Sequence, residues 1–132
     1  MMTAGDMAGF RVLVVEDEML IAVVIEEALA EAGCELVGSV ARLDVALRLA
    51  DEGEFDAAIL DITIRGGKVY PVAERLIARG IPFVFASGYG EWALPEELRG
   101  YPRLVKPFTL TALEEQIRGL RDEVTRRKRQ RT

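Results

Sequence analysis

Four apolar runs of this chain each end in residues suited to handling phosphate or a metal ion. Glu16 and Asp17 follow RVLVV, Asp61 follows AAIL, Ser87 follows FVFA and Lys106 follows RLV. In a parallel α/β sheet the carboxyl ends of the strands line one edge, where ligands bind, so residues far apart in sequence can share a pocket. Three converging carboxylates repel one another by roughly 4 kcal/mol per pair at about 4 Å and an effective dielectric near 20. A hard divalent cation offsets that, and magnesium favours one or a few carboxylates together with waters and a substrate phosphate. Glu16, Asp17 and Asp61 fit such a site. Asp61 is then a candidate nucleophile toward phosphorus, Ser87 a hydroxyl donor to a phosphoryl oxygen, and Lys106 a compact cation able to pair with Asp61 before transfer and with the phosphoryl group after it. Any one of these acids alone would read as an ordinary loop residue. Their common place at the ends of apolar runs argues for a site.

These residues need a sheet to bring them together. RVLVV is a short run rich in β-branched residues, as expected of a strand buried on both faces. Leu20, Ile21, Val24, Ile25, Ala28 and Leu29 then recur at helical spacing, and Gly33 ends the pattern. ELVGSV reads as a second strand, followed by a helix through Val45, Ala46 and Leu49 that ends near Gly53. FDAAIL is a third strand, and Val69, Val72, Ala73, Leu76 and Ile77 form the next helical stripe, up to Gly80. IPFVFA is the fourth strand, with Pro82 at its entrance. GYGEWALPEELRG has room for one short helix and is expected to be mobile. RLV is the fifth strand, and Pro107 is expected to follow a cis peptide bond. Thr111 with Glu114 offers a capping box for a last helix whose apolar positions are Leu110, Leu113, Ile117, Leu120 and Val124. Their spacing suits a cover for the sheet, or a short seam for another helix. Five such cycles with right-handed crossovers predict an α/β, flavodoxin-like, doubly wound five-stranded parallel sheet of order 2-1-3-4-5, with helices on both faces.

At 132 residues, half of them hydrophobic, the chain suits one domain with its own core. The expected division is a flexible leader over 1–9, the domain over 10–122 and a basic helix end over 123–132. No apolar run approaches the ~18 residues of a membrane span and no secretory pattern opens the chain, so a cytoplasmic protein is expected. Cys34 has no second cysteine to pair with and no histidine to assist it, and reads as packing. Net charge is −5, but five basic residues crowd the last seven positions, leaving residues 1–125 at −10. An acidic body argues against a nucleic-acid surface, and the basic end reads as a frayed, solvated helix terminus.

From Arg11 to about Leu120 the chain resembles the receiver domain of bacterial two-component response regulators, through VVEDE at 14–18, LD at 60–61, FAS at 85–87 and KPF at 106–108. The resemblance implies that Asp61 accepts a phosphoryl group from a phosphohistidine on a sensor histidine kinase or a phosphotransfer protein, assisted by Ser87 and Lys106. It implies Mg2+ held by Asp17, Asp61 and the backbone carbonyl of Thr63, with Glu16 acting through water. It also implies that the chain is not an enzyme. Receivers commonly carry proline four residues after the acceptor, where this chain has Arg65, and an aromatic residue three before the lysine, where it has Arg103. FASGYG with Pro102 ahead of RLVKPF is instead similar to the FAT GUY subgroup, which points to kinases of the HWE class.

Without that aromatic residue a different switch is expected, in which phosphorylation draws Ser87 toward Asp61 and reorders residues 88–100, moving Tyr89 and Trp92. The alternative is that Tyr89 and Trp92 merely cover the core. Thr63 and Tyr89, each two residues beyond a site residue, flank the path of a hydrolytic water and are expected to tune the phosphoryl lifetime. Too few residues follow the fold for a DNA-binding domain, so a downstream protein partner or a phosphate-sink role is expected, in a monomer or weak dimer. A phospho-independent interaction module of the same fold is the competing reading. A haloacid dehalogenase-type phosphatase would call for a second acid where Thr63 stands.

Overall fold

The β-branched runs and the helical stripes alternate in the computed structural model, which describes residues 9–88 and 94–130. The strands are β1 (Arg11–Val15), β2 (Glu35–Val40), β3 (Ala57–Asp61), β4 (Thr63–Ile64), β5 (Gly67–Lys68), β6 (Phe83–Ser87) and β7 (Arg103–Val105). The helices are α1 (Met19–Ala32), α2 (Leu43–Glu52), α3 (Tyr70–Arg79) and α4 (Leu110–Gln130), with a single 3-10 turn at Glu96–Leu98. β2-β1-β3-β6-β7 form one parallel sheet, which is the predicted order 2-1-3-4-5. β4 and β5 form a small antiparallel hairpin that the strand pattern did not reveal.

Strand alternation divides the core into two layers. Leu13 and Val15 face α2 and α3 with Leu60, Phe83, Phe85 and Leu76, whereas Val12 and Val14 face α1 and α4 with Ile59, Val84, Ile25 and Ile117. β3 and β6 are buried along their whole length, as strands covered on both faces must be. Their final residues, Asp61 and Ser87, are therefore carried into the interior by the apolar residues before them.

Several helix details differ from expectation. α1 turns Ala22, Ile25, Ala28, Leu29 and Ala32 inward and leaves Leu20 and Val24 exposed. Its first half is apolar on nearly every side, so periodicity could not choose the buried face. Ile77 of α3 is likewise exposed. The cap of α4 is Thr109, whose Oγ1 accepts the Ala112 N–H at 3.0 Å, and not Thr111, which already lies inside the helix. Leu113, Ile117 and Leu120 are buried under the sheet while Leu110 is exposed, so the stripe covers this core. The helix continues to Gln130, and Arg127 donates to the Gly80 carbonyl at 2.7 Å and pairs with Glu123, so the basic end is tied to the bottom of the sheet.

Leu94 and Leu98 are buried and anchor the part of 88–100 that is described, and Arg99 Nε donates to the Leu94 carbonyl. Tyr89 and Trp92 lie outside the described residues. The Lys106–Pro107 bond is cis. Among the described residues no helix is long and apolar enough to cross a membrane.

Gly33 and Gly80 close α1 and α3 in the left-handed conformation, at φ 86° and 71°. Gly53, after α2, has an extended backbone and is required for another reason: a Cβ there would lie 2.7 Å from the Leu49 carbonyl oxygen and 2.9 Å from the Phe55 ring. Gly53→Ala is expected to lower stability by about 1–3 kcal/mol in urea unfolding. An unchanged midpoint would show that the α2–β3 turn yields freely.

Candidate functional site

The carboxyl ends of the central strands deliver the expected cluster. Glu16 and Asp17 follow β1, and Asp61 ends the neighbouring β3. Each offers a carboxylate oxygen within 4.8 Å of the others. Glu16 and Asp61 are buried, while Asp17 is partly exposed at the mouth. β7 pairs with β6, the Lys106 N–H donates to the Ser87 carbonyl at 2.8 Å, and Lys106 is thereby aimed across the strand ends. Its Nζ lies 2.8 Å from Glu16 Oε1 and 3.2 Å from Asp61 Oδ2. Ser87 is buried on β6, one residue beyond Ala86, the register partner of Asp61. Residues 16, 17, 61, 87 and 106 thus come together as the strand-end argument required. Thr63 sits in the β4–β5 hairpin two residues beyond Asp61, accepting a hydrogen bond from Lys68 Nζ at 2.8 Å.

Two participants were not identified from the sequence. Glu18, the residue before α1, has Oε1 3.6 Å from Lys106 Nζ, and its N–H donates to Glu16 Oε2 at 3.0 Å. The third acid of VVEDE was the available signal. Lys68 was hidden because nothing in the strand pattern predicted the hairpin that folds it back onto Thr63.

The electrostatics are those of a charge cluster one cation short. Burial first, and then the neighbouring Glu16, push Asp61 up to about 8 against the pull of Lys106. Burial opposes the charge on Lys106, but Glu16 and Asp61 outweigh it and hold the ammonium above its usual range. Lys106 is close to Glu16 Oε1, yet among the described residues no donor is aligned for a hydrogen bond to that buried oxygen. A buried, incompletely satisfied carboxylate among three oxygen donors is the chemistry of a hard divalent cation, and the cluster is compatible with one.

Asp61 holds its proton more tightly when folded than when unfolded. Its contribution to stability is therefore complete below the ordinary carboxylate range and is lost as pH rises through about 8. Metal-free wild type is expected to lose melting temperature between about pH 4 and about pH 8, and Asp61→Asn to remove most of that slope. Mg2+ binding near pH 7 should release close to one proton, measured by calorimetry in buffers of different ionisation enthalpy. A melting profile that the substitution leaves unaltered would contradict the raised pKa.

No family model matches the chain. The solution structure of SdrG from Sphingomonas melonis Fr1 superposes with a TM-score of 0.75 at 41% identity, over 87% of this chain and 97% of that one. The BeF3-activated conformation of SdrG gives 0.71 at 42%, over 86% and 97%. A CheY-like response regulator receiver domain protein from Methanospirillum hungatei JF-1 shares the fold, with a TM-score of 0.74 at 21% identity over 89% and 97%. The transcriptional regulatory protein TcrA of Mycobacterium tuberculosis is 32% identical over 123 residues, 88% of this chain and 47% of that protein. The chain spans about half the length of the curated relatives it matches.

Proposed function

Because the chain belongs to the response-regulator receiver family, whose members are phosphoacceptors rather than enzymes, we propose that Asp61 accepts a phosphoryl group from a phosphohistidine of a sensor histidine kinase or phosphotransfer protein. The observation that carries this reading is the buried Asp61 carboxylate at the end of a central strand, with an ammonium 3.2 Å away and two more carboxylates beside it.

In the transfer an Asp61 oxygen attacks phosphorus. The phosphorus–nitrogen bond to the donor breaks as the phosphorus–oxygen bond forms, and the imidazole leaves with the electron pair. Lys106 moves from Asp61 to the incoming phosphoryl oxygens, a shift that needs only rotation of its terminal bonds. The Ser87 hydroxyl donates to another of those oxygens. Glu16, Asp17, Asp61 and the Thr63 backbone carbonyl are the groups that would hold Mg2+, which when bound screens the negative charge of the phosphoryl group. SdrG has a BeF3-activated conformation, and this chain's similarity to it supports a phosphorylation-dependent switch here.

α1 begins beside the acceptor pocket, and Met19, Leu20, Val23 and Val24 form an exposed apolar face on it, Met19 and Leu20 at 79% and 83% exposure. This face suits an apolar helix of the phosphoryl donor. FASGYG and Pro102 support membership of the FAT GUY subgroup and a kinase of the HWE class. The reading is of a cytoplasmic response regulator whose receiver is built on residues 10–122 and which acts on a partner protein or as a phosphate sink.

Incubation with acetyl phosphate and Mg2+ is expected to add one phosphoryl mass to wild type and none to Asp61→Asn. Absence of the adduct with both acetyl phosphate and a competent kinase would favour the phospho-independent module. Leu20→Glu should slow transfer from the kinase about tenfold or more while leaving acetyl phosphate labelling within about twofold, as the loss of a central apolar contact implies. Equal slowing with both donors would remove α1 from the docking surface.

A further inference from the structure

The β4–β5 hairpin is a built element. Thr63 stands opposite Lys68 and Ile64 opposite Gly67 in its ladder. Gly66 and Gly67 take φ values of 101° and 139°, which other residues rarely adopt. The tip is held from outside, since the Arg65 N–H donates to the Ala41 carbonyl at 3.2 Å and the Leu43 N–H to the Arg65 carbonyl at 2.8 Å. Ile64 is buried beneath it, and the Val69 N–H returns to the Ile62 carbonyl at 2.8 Å. On this frame Lys68 Nζ donates to Thr63 Oγ1 at 2.8 Å, two residues beyond Asp61.

Resting on the reading of Asp61 as acceptor, we propose that Lys68 is a positioning residue that holds the Thr63 side chain across the mouth of the pocket and thereby prolongs the life of the acyl phosphate. Hydrolysis needs a water oxygen to attack phosphorus from the side opposite Asp61. The bond from phosphorus to the Asp61 oxygen breaks, the carboxylate leaves with the electron pair, and the water proton passes to solvent. A threonine side chain tied to an ammonium is held over that approach, and loss of either partner releases it. The lysine stem alongside it also narrows the approach. Lys106 cannot serve this purpose, because it is turned inward between Glu16 and Asp61.

The test is the decay of the phosphorylated protein after donor removal, followed by intact mass in Mg2+, for wild type, Lys68→Met, Lys68→Arg, Thr63→Val and the Lys68→Met/Thr63→Val double variant. Lys68→Met and Thr63→Val should each speed decay about threefold or more, as expected for one lost hydrogen bond to a charged group. Lys68→Arg should stay within about twofold of wild type. The double variant should decay no faster than the faster single one, because both changes remove the same contact. Mg2+ affinity should hold within about twofold in Lys68→Met and Lys68→Arg. Wild-type decay in Lys68→Met, additive effects in the double variant, or a parallel loss of Mg2+ affinity would each overturn the role of Lys68 while leaving Asp61 as acceptor. A wild type that takes up no phosphoryl group from either acetyl phosphate or a kinase would overturn the underlying reading as well.

Discussion

Glu16 and Asp61 are almost wholly removed from solvent at the ends of adjacent strands, and the ammonium of Lys106 lies between them. Two carboxylates and one cation in so dry a place do not balance. Burial and then the neighbouring Glu16 raise the affinity of Asp61 for its proton, and among the described residues no donor is aligned with one carboxylate oxygen of Glu16. Such an arrangement is costly unless the surrounding fold enforces it. The apolar strands that end in these residues supply that enforcement, because they cannot stay buried without carrying their last residues inward.

The same arrangement makes the pocket responsive. A group that brings positive charge would relieve the carboxylates, and under the proposed function a phosphoryl group on Asp61 would give Lys106 a new partner. The sheet need not move for this. Around the pocket the supports differ in kind: β3 and β6 are locked in the core, whereas Thr63 and Lys68 belong to a hairpin held at its tip by the β2–α2 connection. A rigid floor beneath a separately anchored rim allows the rim side chains to be tuned without disturbing the carboxylates of Glu16, Asp17 and Asp61.

How much could be read in advance follows from the period of each signal. The five sheet strands were legible because each is a continuous apolar run bounded by turn residues, and their order is the one expected of a flavodoxin-like doubly wound fold. The faces of α1 were not legible, because Met19 to Ile25 is apolar on nearly every side and only packing against β1 and α4 selects Ile25. The cap of α4 was misplaced by two residues, since Thr109 and Thr111 offer the same hydroxyl and the backbone leaving Pro107 decides between them. The hairpin was missed because a two-residue ladder has no hydrophobic period.

The sequence by itself determined which residues would meet. The acid pair, Asp61, Ser87 and Lys106 each end an apolar run, and runs that must be buried in parallel bring their ends to one edge. Only the tertiary structure decided what those residues do to one another. Distances of 2.8 and 3.2 Å around the Lys106 ammonium, the burial of Glu16 beside Asp61, and the pairing of Lys68 with Thr63 depend on strand register and on a hairpin held by another loop. Electrostatic and hydrogen-bond energies change steeply over tenths of an ångström, whereas hydrophobic patterning specifies only which side of an element faces inward.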